Sequence, residues 1–151
     1  MINIYTDGSC CKNPGPGGWA LLVVEKDKPS IQISGKLIDT TNNQMELEAA
    51  FQALKWLSEN APTSKATIYT DSNYVKQGIT EWIYSWKKRG WRTANNDPVK
   101  NLEYWKKIDL LNQQLIVQWQ WIKAHNGHPE NEIVDKLARS EAESLLNGGD
   151  L

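Results

Sequence analysis

The sequence contains only two cysteines, and these are the adjacent residues Cys10 and Cys11. Adjacent cysteines cannot join distant parts of a chain, so nothing here indicates an oxidising compartment. No stretch approaches the ~18 consecutive apolar residues that a membrane-spanning helix needs. A cleavable signal is not expected either, because Asp7 interrupts the short apolar N-terminus. These absences predict a cytoplasmic protein without a membrane segment.

The sequence also lacks a cluster of cysteine and histidine, which argues against a zinc site. It has no overall basic excess, since 17 Lys and Arg face 18 Asp and Glu. The stretch from Tyr84 to Lys107 is different, with seven basic and two acidic residues. Such a local excess suits an anionic ligand, although a solvated helix face would give the same pattern.

The length of 151 residues, with 40% hydrophobic residues, predicts one domain with one core. We expect that domain to cover residues 1–146, followed by a flexible tail over residues 147–151. The short chain shows no obvious exposed apolar face. We therefore expect a monomer with no obligate protein partner.

Hydrophobic periodicity and turn residues predict alternating strands and helices. The predicted strands are Ile2–Thr6, Trp19–Glu25, Ile31–Leu37, Lys65–Thr70 and Leu115–Ile122. The predicted helices are Asn43–Asn60, a run from Asn73, Trp82–Arg89, Leu102–Leu111 and Pro129–Leu146. The Asp7-Gly8 pair would end the first strand in a turn, and Asn13–Gly18 would be a loop. The order predicts a single-domain α/β fold whose five-stranded mixed sheet has three antiparallel and then two parallel strands, flanked by helices.

Two carboxylates follow strands that we expect to be neighbours in the sheet. Asp7 follows the first strand and Asp71 follows the fourth. Because ligands collect beyond the carboxyl ends of parallel strands, both side chains would emerge at one edge of the sheet. Each also has a plain structural alternative. Asp7 suits the turn of an Asp-Gly pair, and Asp71 suits the N-cap of the next helix.

Two further carboxylates lie on predicted helices. Glu46 points about 200° away from Glu48, which begins the polar stripe of that helix. A charge that faces inward needs a compensating partner, although Glu46 could simply complete a cap at Asn43. Asp135 lies two turns into the last helix, where the alternative is an i,i+4 pair with Arg139.

Together the four carboxylates predict a site for divalent metal ions. Mg²⁺ prefers oxygen ligands, and two ions ~3.5–4 Å apart can stabilise the attacking and leaving oxygens of a phosphodiester displacement. Without metal, the carboxylates would repel one another and raise their pKa values. His125, in the loop from Lys123 to Pro129, could move protons beside such a site, although a lone loop histidine is ordinarily a surface residue. We expect His128 to be structural.

Four motifs occur in order along the chain. They are Asp7-Gly8-Ser9, Thr41 to Leu47 (TNNQMEL), Thr70-Asp71-Ser72, and His125 to Glu132 (HNGHPENE) followed by Asp135. Together they resemble the bacterial-type ribonuclease HI family, and the resemblance runs from Ile2 to about Ala142. It implies an RNase H-like fold and hydrolysis of the RNA strand of RNA/DNA hybrids, with 5′-phosphate and 3′-hydroxyl products. It also implies Mg²⁺ as cofactor, two ions with substrate, for which Mn²⁺ may substitute.

The resemblance also assigns roles to residues at the reaction centre. It gives the metal ligands as Asp7, Glu46, Asp71 and Asp135, with Asp7 bridging the two ions. His125 matches a mobile histidine that assists proton transfer or product release. Glu132 matches an auxiliary acidic residue near the metals.

Residues expected to contact the hybrid lie in several segments. The run from Trp82 to Trp91 (WIYSWKKRGW) resembles a basic protrusion that grips the DNA strand, and its expected contacts are Trp82, Trp86, Lys87, Lys88, Arg89 and Trp91. Trp82 and Trp86 share a helix face, so core packing is the alternative for either of them. The other expected contacts are Gly8, Ser9 and Cys10 beside the RNA, Asn13, Asn42 and Asn43 in the minor groove, and Thr41 and Asn101 at a DNA phosphate. Gln44 stands where the family often carries arginine, which weakens the expected phosphate pocket.

Three alternatives remain at this point. A junction-resolving nuclease of the same fold is disfavoured by the asparagine cluster, since amides suit the 2′-hydroxyls of RNA. A non-catalytic hybrid-binding module would normally have lost a ligand carboxylate, and all four are present. A fragment of a reverse transcriptase is less expected, because the chain begins with Met and looks complete.

Overall fold

The computed structural model describes residues 1–147 of the chain. The strands are β1 (Ile2–Cys10), β2 (Gly15–Glu25), β3 (Ile31–Thr40), β4 (Lys65–Thr70) and β5 (Ile116–Trp121). The helices are α1 (Asn42–Asn60), α2 (Asn73–Gln77), α3 (Ile83–Lys88), α4 (Leu102–Gln114) and α5 (Pro129–Asn147). A π-helical turn, Gly78–Trp82, joins α2 to α3. Position 147 of the predicted tail belongs to α5, and residues 148–151 lie outside the described residues.

The five strands form one mixed sheet in the order β3-β2-β1-β4-β5. β1 pairs antiparallel with β2, and β2 pairs antiparallel with β3. β4 is parallel to β1 and β5 is parallel to β4, each reached through helical crossovers. The predicted fold class is therefore confirmed. Between residues 1 and 147 no helix is both long enough and apolar enough to cross a bilayer.

Alternate residues of the strands supply two cores, one on each face of the sheet. The larger core packs Ile4 and Leu21 against Leu47 of α1 and Trp105 of α4. The smaller core packs residues of β2 under α5, and its buried members are Ala20, Leu22, Val134 and Ala138. α1 and α5 therefore approach β1 from opposite faces, which decides where their carboxylates meet.

The prediction of a turn at Asp7-Gly8 was wrong, and the predicted loop at Asn13–Gly18 is a loop only at Asn13 and Pro14. β1 continues to Cys10, with Asp7 opposite Ala20 across the antiparallel pair. β2 already begins at Gly15 and includes Pro16, which lies at a shift in register between Gly15 and Gly17. A proline is tolerated at such a bulge because no ladder hydrogen bond is needed from its nitrogen. Pairing with neighbouring strands therefore overrides the local turn signal.

The start of α1 also differs from the alternative considered for Glu46. Thr41 is the N-cap, and its Oγ1 accepts a hydrogen bond of 3.1 Å from the backbone N–H of Gln44. Asn42 is the first helical residue, so Asn43 is not a cap and Glu46 is not its partner. The orientation of Glu46 therefore needs another explanation, which its surroundings provide.

Candidate active site

Asp7 and Asp71 lie side by side because of where the parallel strands part. Pairing between β1 and β4 ends at Tyr5 and Tyr69. Asp7 follows two residues later, and Asp71 comes directly after the end of β4. Asp7, Glu46 and Asp71 each offer a carboxylate oxygen within 4.8 Å of those of the other two. The structure thus brings together three of the four predicted ligands at one edge of the sheet.

Close approach of two helices to the sheet brings the other carboxylates to Asp7. A Cβ atom at Gly8 would overlap the peptide between Met45 and Glu46, so glycine lets the first turns of α1 touch β1. A Cβ atom at Gly18 would likewise overlap the backbone oxygen of Ala138, so α5 lies directly on β2. These two contacts place Glu46 and Asp135 on either side of Asp7.

Burial and mutual repulsion raise the pKa values of this cluster. Asp7 is only 3% exposed, and burial, followed by the charges of Asp71 and Asp135, raises its pKa from 3.8 to about 8. Burial is also the main cause that raises the pKa of Glu46 well above its ordinary value, and that of Asp71 above its own. Each group is therefore costly to ionise unless a cation lies among them.

The donor atoms of this cluster fit a hard divalent cation. Glu46 Oε1 is buried and has no hydrogen-bond partner among the residues that the structure describes. All the converging donors are carboxylate oxygens, the ligands that Mg²⁺ and similar ions prefer. A cation bound here would satisfy the buried oxygen of Glu46 and lower the repulsion that raises these pKa values.

Asp135 faces both the cluster and its own helix. After burial and the charge of Asp71, the charge of Asp135 is the next cause that raises the pKa of Asp7, while Arg139 Nη2 lies 3.0 Å from Asp135 Oδ2. The contact with Arg139 is close but not aligned as a hydrogen bond, so Oδ2 is left without a hydrogen-bond partner among residues 1–147. The i,i+4 pair considered from the sequence is therefore present, and it does not keep Asp135 from the metal site.

The loop histidine lies at the outer side of Asp135. His125 is exposed, with φ of 55°, and its Nδ1 is 3.4 Å from Glu132 Oε1. His125, Glu132 and Asp135 each offer an atom within 4.8 Å of the other two. Asp135 therefore connects His125 and Glu132 to the carboxylate cluster.

A polar depression lies beside the first turn of α1. It measures about 450 Å³ and is lined by Asn13, Pro14, Thr41, Asn42, Asn43, Lys100 and Asn101. Asn13 Oδ1 accepts a hydrogen bond of 3.2 Å from the backbone N–H of Asn42. The structure therefore gathers the five residues predicted to contact the minor groove or a DNA phosphate, which come from distant segments of the chain. Lys100 was not among the predicted contacts. The sequence feature that could have identified it is its place in the basic stretch, next to Asn101.

Ser9 and Cys10 occupy a separate position. They lie at the end of β1 and line a hollow with Arg139 of α5. The Sγ of Cys10 donates to the carbonyl oxygen of Lys12 at 2.8 Å, so its thiol is turned toward its own backbone.

The tryptophans of the predicted basic protrusion pack against one another and against the core. The ring centroids of Trp82 and Trp86 are 5.9 Å apart, and those of Trp86 and Trp105 are 5.4 Å apart. Trp86 and Trp91 are partly buried beside the larger core. Much of the surface of these tryptophan rings is therefore used in core packing, which was the alternative considered from the sequence.

The three consecutive cations after Trp86 are not equivalent. Lys87 Nζ lies 3.0 Å from Asp109 Oδ2 on α4. Lys88 and Arg89 are exposed, and no salt bridge holds either of them among the described residues. The ion pair turns Lys87 back toward the body of the protein, which the sequence pattern alone could not indicate.

One contact with Asp71 was missed by the sequence analysis. Trp121, at the end of β5, donates a hydrogen bond of 3.1 Å from its Nε1 to the backbone oxygen of Asp71. The adjacent Ile122 N–H donates to the backbone oxygen of Thr70 at 2.9 Å. These bonds fix the backbone that carries Asp71. The only signal in the sequence was the position of Trp121 at the end of a strand.

The fold and this site define an α/β protein whose carboxylates converge beyond the ends of parallel strands, an arrangement suited to divalent cations. The family model named RNase H matches residues 1–143. The chain therefore belongs to the RNase H family, whose members depend on divalent metal ions.

Individual relatives agree with this assignment. The chain is 52% identical over 142 residues to Ribonuclease HI of Xylella fastidiosa strain Temecula1, which covers 94% of this chain and 92% of that protein. The crystal structure of LC9-RNase H1, a type 1 RNase H with the type 2 active-site motif, matches at a TM-score of 0.83 and 28% identity, over 95% of this chain and 72% of that one. LC11-RNase H1, crystallised with an RNA/DNA hybrid, shares the fold at a TM-score of 0.74 and 21% identity, over 97% and 100% of the two chains. The family resemblance drawn from the sequence is confirmed.

Proposed function

We propose that this chain is an endoribonuclease that hydrolyses the RNA strand of RNA/DNA hybrids, with Asp7, Glu46, Asp71 and Asp135 holding divalent metal ions. One observation carries the assignment of the site. Three buried or half-buried carboxylates converge within 4.8 Å, and one of their oxygens is buried without a hydrogen-bond partner among the described residues. Membership of the RNase H family supports the reaction.

Mg²⁺ is the proposed cofactor, as two ions with substrate that Asp7 would help to hold, and Mn²⁺ would substitute because it accepts the same oxygen donors. Bound there, the ions would activate water and stabilise the developing charge of the phosphodiester. The four carboxylates that would hold the ions lie on or next to four different elements, β1, α1, β4 and α5. The proposed products carry 5′-phosphate and 3′-hydroxyl ends.

His125 is proposed to move a proton at the outer edge of the site. Glu132 lies 3.4 Å from its Nδ1, which orients the ring and leaves Nε2 free for a substrate or water. Because the imidazole is exposed, protons can pass between it and solvent. Glu132 thus acts through His125 as well as through its position beside Asp135.

The polar depression is proposed to contact the hybrid. Asn13, Asn42 and Asn43 carry amides that both donate and accept, as recognition of an RNA 2′-hydroxyl requires. Lys88 and Arg89 are exposed cations suited to DNA phosphates. The proposed partner is therefore a hybrid duplex, and we propose that the protein acts as a cytoplasmic monomer.

The test of this function uses one end-labelled RNA in three forms: annealed to DNA, annealed to RNA, and single-stranded. Each form is incubated with the protein and Mg²⁺, with and without EDTA. We expect cutting that requires metal and is confined to the hybrid. Binding of hybrid without cutting, in Mg²⁺ and in Mn²⁺, would instead identify a non-catalytic module. Preferential cutting of a four-way DNA junction would identify a different nuclease.

Replacing Lys88 by Ala is expected to weaken hybrid binding. It should also lower the slope of log K against log salt concentration by about one, the change expected for the loss of one phosphate contact. Lys87→Ala is the matched variant, one position earlier in the same helix. Its change in salt dependence should be smaller, because Asp109 already neutralises Lys87. Fluorescence anisotropy across a range of KCl concentrations measures both slopes. Equal slopes for the two variants would contradict the distinction drawn between these lysines.

A further inference from the structure

Gln44 bridges two segments that are distant in sequence. Thr40 Oγ1 donates to Gln44 Oε1 at 2.9 Å, and Gln44 Nε2 donates to Asn101 Oδ1 at 3.2 Å. Thr40 is 2% exposed, so one end of the bridge is anchored in the interior. Both ends of the Gln44 amide are therefore engaged within the protein.

Asn101 is held from its other side as well. Its Nδ2 donates to the Tyr74 hydroxyl at 3.0 Å, and that hydroxyl also accepts from Trp105 Nε1 at 3.2 Å. Trp105 is fully buried, so this anchor is rigid. Asn101 itself has φ of 60° and precedes the first turn of α4, in the left-handed region that asparagine tolerates.

These bonds determine which atom Asn101 presents to the polar depression. Gln44 occupies its Oδ1, and Tyr74 takes one of the two hydrogens on Nδ2. Among residues 1–147 the second hydrogen has no acceptor. Asn101 therefore offers a hydrogen-bond donor, which suits a phosphate oxygen, and Lys100 supplies a cation to the same depression.

We propose that Gln44 is a positioning residue for the phosphate contact at Asn101. This inference rests on the proposed function, because it takes Asn101 as a contact of the hybrid. Gln44 does not line the depression, so it acts through Asn101 and not on the ligand. Without the Gln44 donor, the Asn101 amide can rotate and turn its oxygen toward the anion, which would repel it.

The test replaces Gln44 by Met, which keeps the length of the side chain and removes both of its hydrogen bonds. Hybrid affinity is measured by anisotropy in an Asp71→Asn background, and kcat and KM are measured in the otherwise intact enzyme. We expect the Kd and KM to rise roughly fivefold, as for the loss of one oriented hydrogen bond. The kcat should change less than about twofold, because no group near the carboxylates has moved.

Gln52→Met is the matched control. Gln52 lies on the same helix, and its side chain makes one hydrogen bond, from Nε2 to Glu48 Oε2 at 2.8 Å. The Gln52→Met variant should leave Kd unchanged.

Gln44→Glu gives a second test of the proposal. The glutamate keeps the acceptor for Thr40 but loses the donor to Asn101, so this variant should weaken hybrid binding at least as much as Gln44→Met does. Melting curves identify any variant that fails to fold.

A double-mutant cycle with Asn101→Ala separates positioning from a general structural effect. If Gln44 acts through Asn101, Gln44→Met should have no further effect on Kd once Asn101 is replaced by Ala. An unchanged Kd in Gln44→Met alone, or an undiminished effect in the Asn101→Ala background, would overturn the proposal. An Asn101→Ala variant that binds normally would also overturn it, while hybrid cutting by the intact enzyme would still support the proposed function.

Discussion

Asp71→Asn is expected to fold and to bind RNA/DNA hybrid while its turnover falls about a thousandfold or more. Asparagine preserves the shape of the side chain but removes the charge that lies within 4.8 Å of Asp7 and Glu46. Metal-ion catalysis contributes several kcal/mol to the stabilisation of the transition state, and each ~1.36 kcal/mol corresponds to a factor of ten in rate. The backbone at residue 71 is fixed by Trp121 and should not move.

Single-turnover cleavage of a labelled hybrid measures this loss, and anisotropy measures binding separately. Asp27→Asn is the matched control, because Asp27 lies in the turn between β2 and β3 with φ of 64°, which asparagine also tolerates. The control should cleave at the normal rate. Near-normal turnover in Asp71→Asn would refute the assignment of Asp71 as a metal ligand.

Much of the fold was predictable because it depends on local patterns. Short turns between the first three strands require antiparallel neighbours, and helical crossovers require parallel ones. The same reasoning placed Asp7 and Asp71 at one edge of the sheet, and in the structure Asp7 lies just past the end of the parallel β1–β4 pairing while Asp71 follows β4. The inward direction of Glu46 followed from helical periodicity alone. These predictions used only the sequence near each residue.

The remaining features depend on contacts between distant segments. Gln44 and Asn101 are separated by 57 positions, and Asp71 and Trp121 by 50. No periodicity relates such pairs, so their hydrogen bonds could not be predicted. The inclusion of Pro16 in β2 is a similar case, because a bulge against β3 accommodates a residue that would normally end a strand. Contacts formed only in the folded protein determine these hydrogen bonds and the conformation at Pro16.

Asp7→Asn is expected to stabilise the metal-free protein by about 2 kcal/mol at pH 8, although it should abolish activity. A buried charge without a partner costs several kcal/mol, and Asp7 is 3% exposed beside Asp71 and Asp135. Asparagine has nearly the same shape and no charge to desolvate. For a chain of this size the gain corresponds to a rise in Tm of roughly 4–8 °C.

The dependence on pH follows from the raised pKa. Between pH 3.8 and about 8, the unfolded chain has released the Asp7 proton while the folded protein retains it. The folded state therefore binds more protons in this window, and stability falls as pH rises through it. The asparagine side chain introduced by Asp7→Asn does not titrate, so the advantage of this variant should grow from about pH 4 and level off above about pH 8.

Thermal melts in EDTA at pH 5 and pH 8 measure this difference, with Asp27→Asn again as the control for an exposed carboxylate. The advantage of Asp7→Asn should be larger at pH 8, while Asp27→Asn should stay within about 0.5 kcal/mol of the wild type at both pH values. Added Mg²⁺ should raise the Tm of the wild type more than that of Asp7→Asn, because a ligand that binds the folded state stabilises it by mass action. If Asp7→Asn were instead less stable than the wild type in EDTA at pH 8, Asp7 would be acting as a structural hydrogen-bond partner. Its burial among carboxylates would then not reflect a site built to hold a cation.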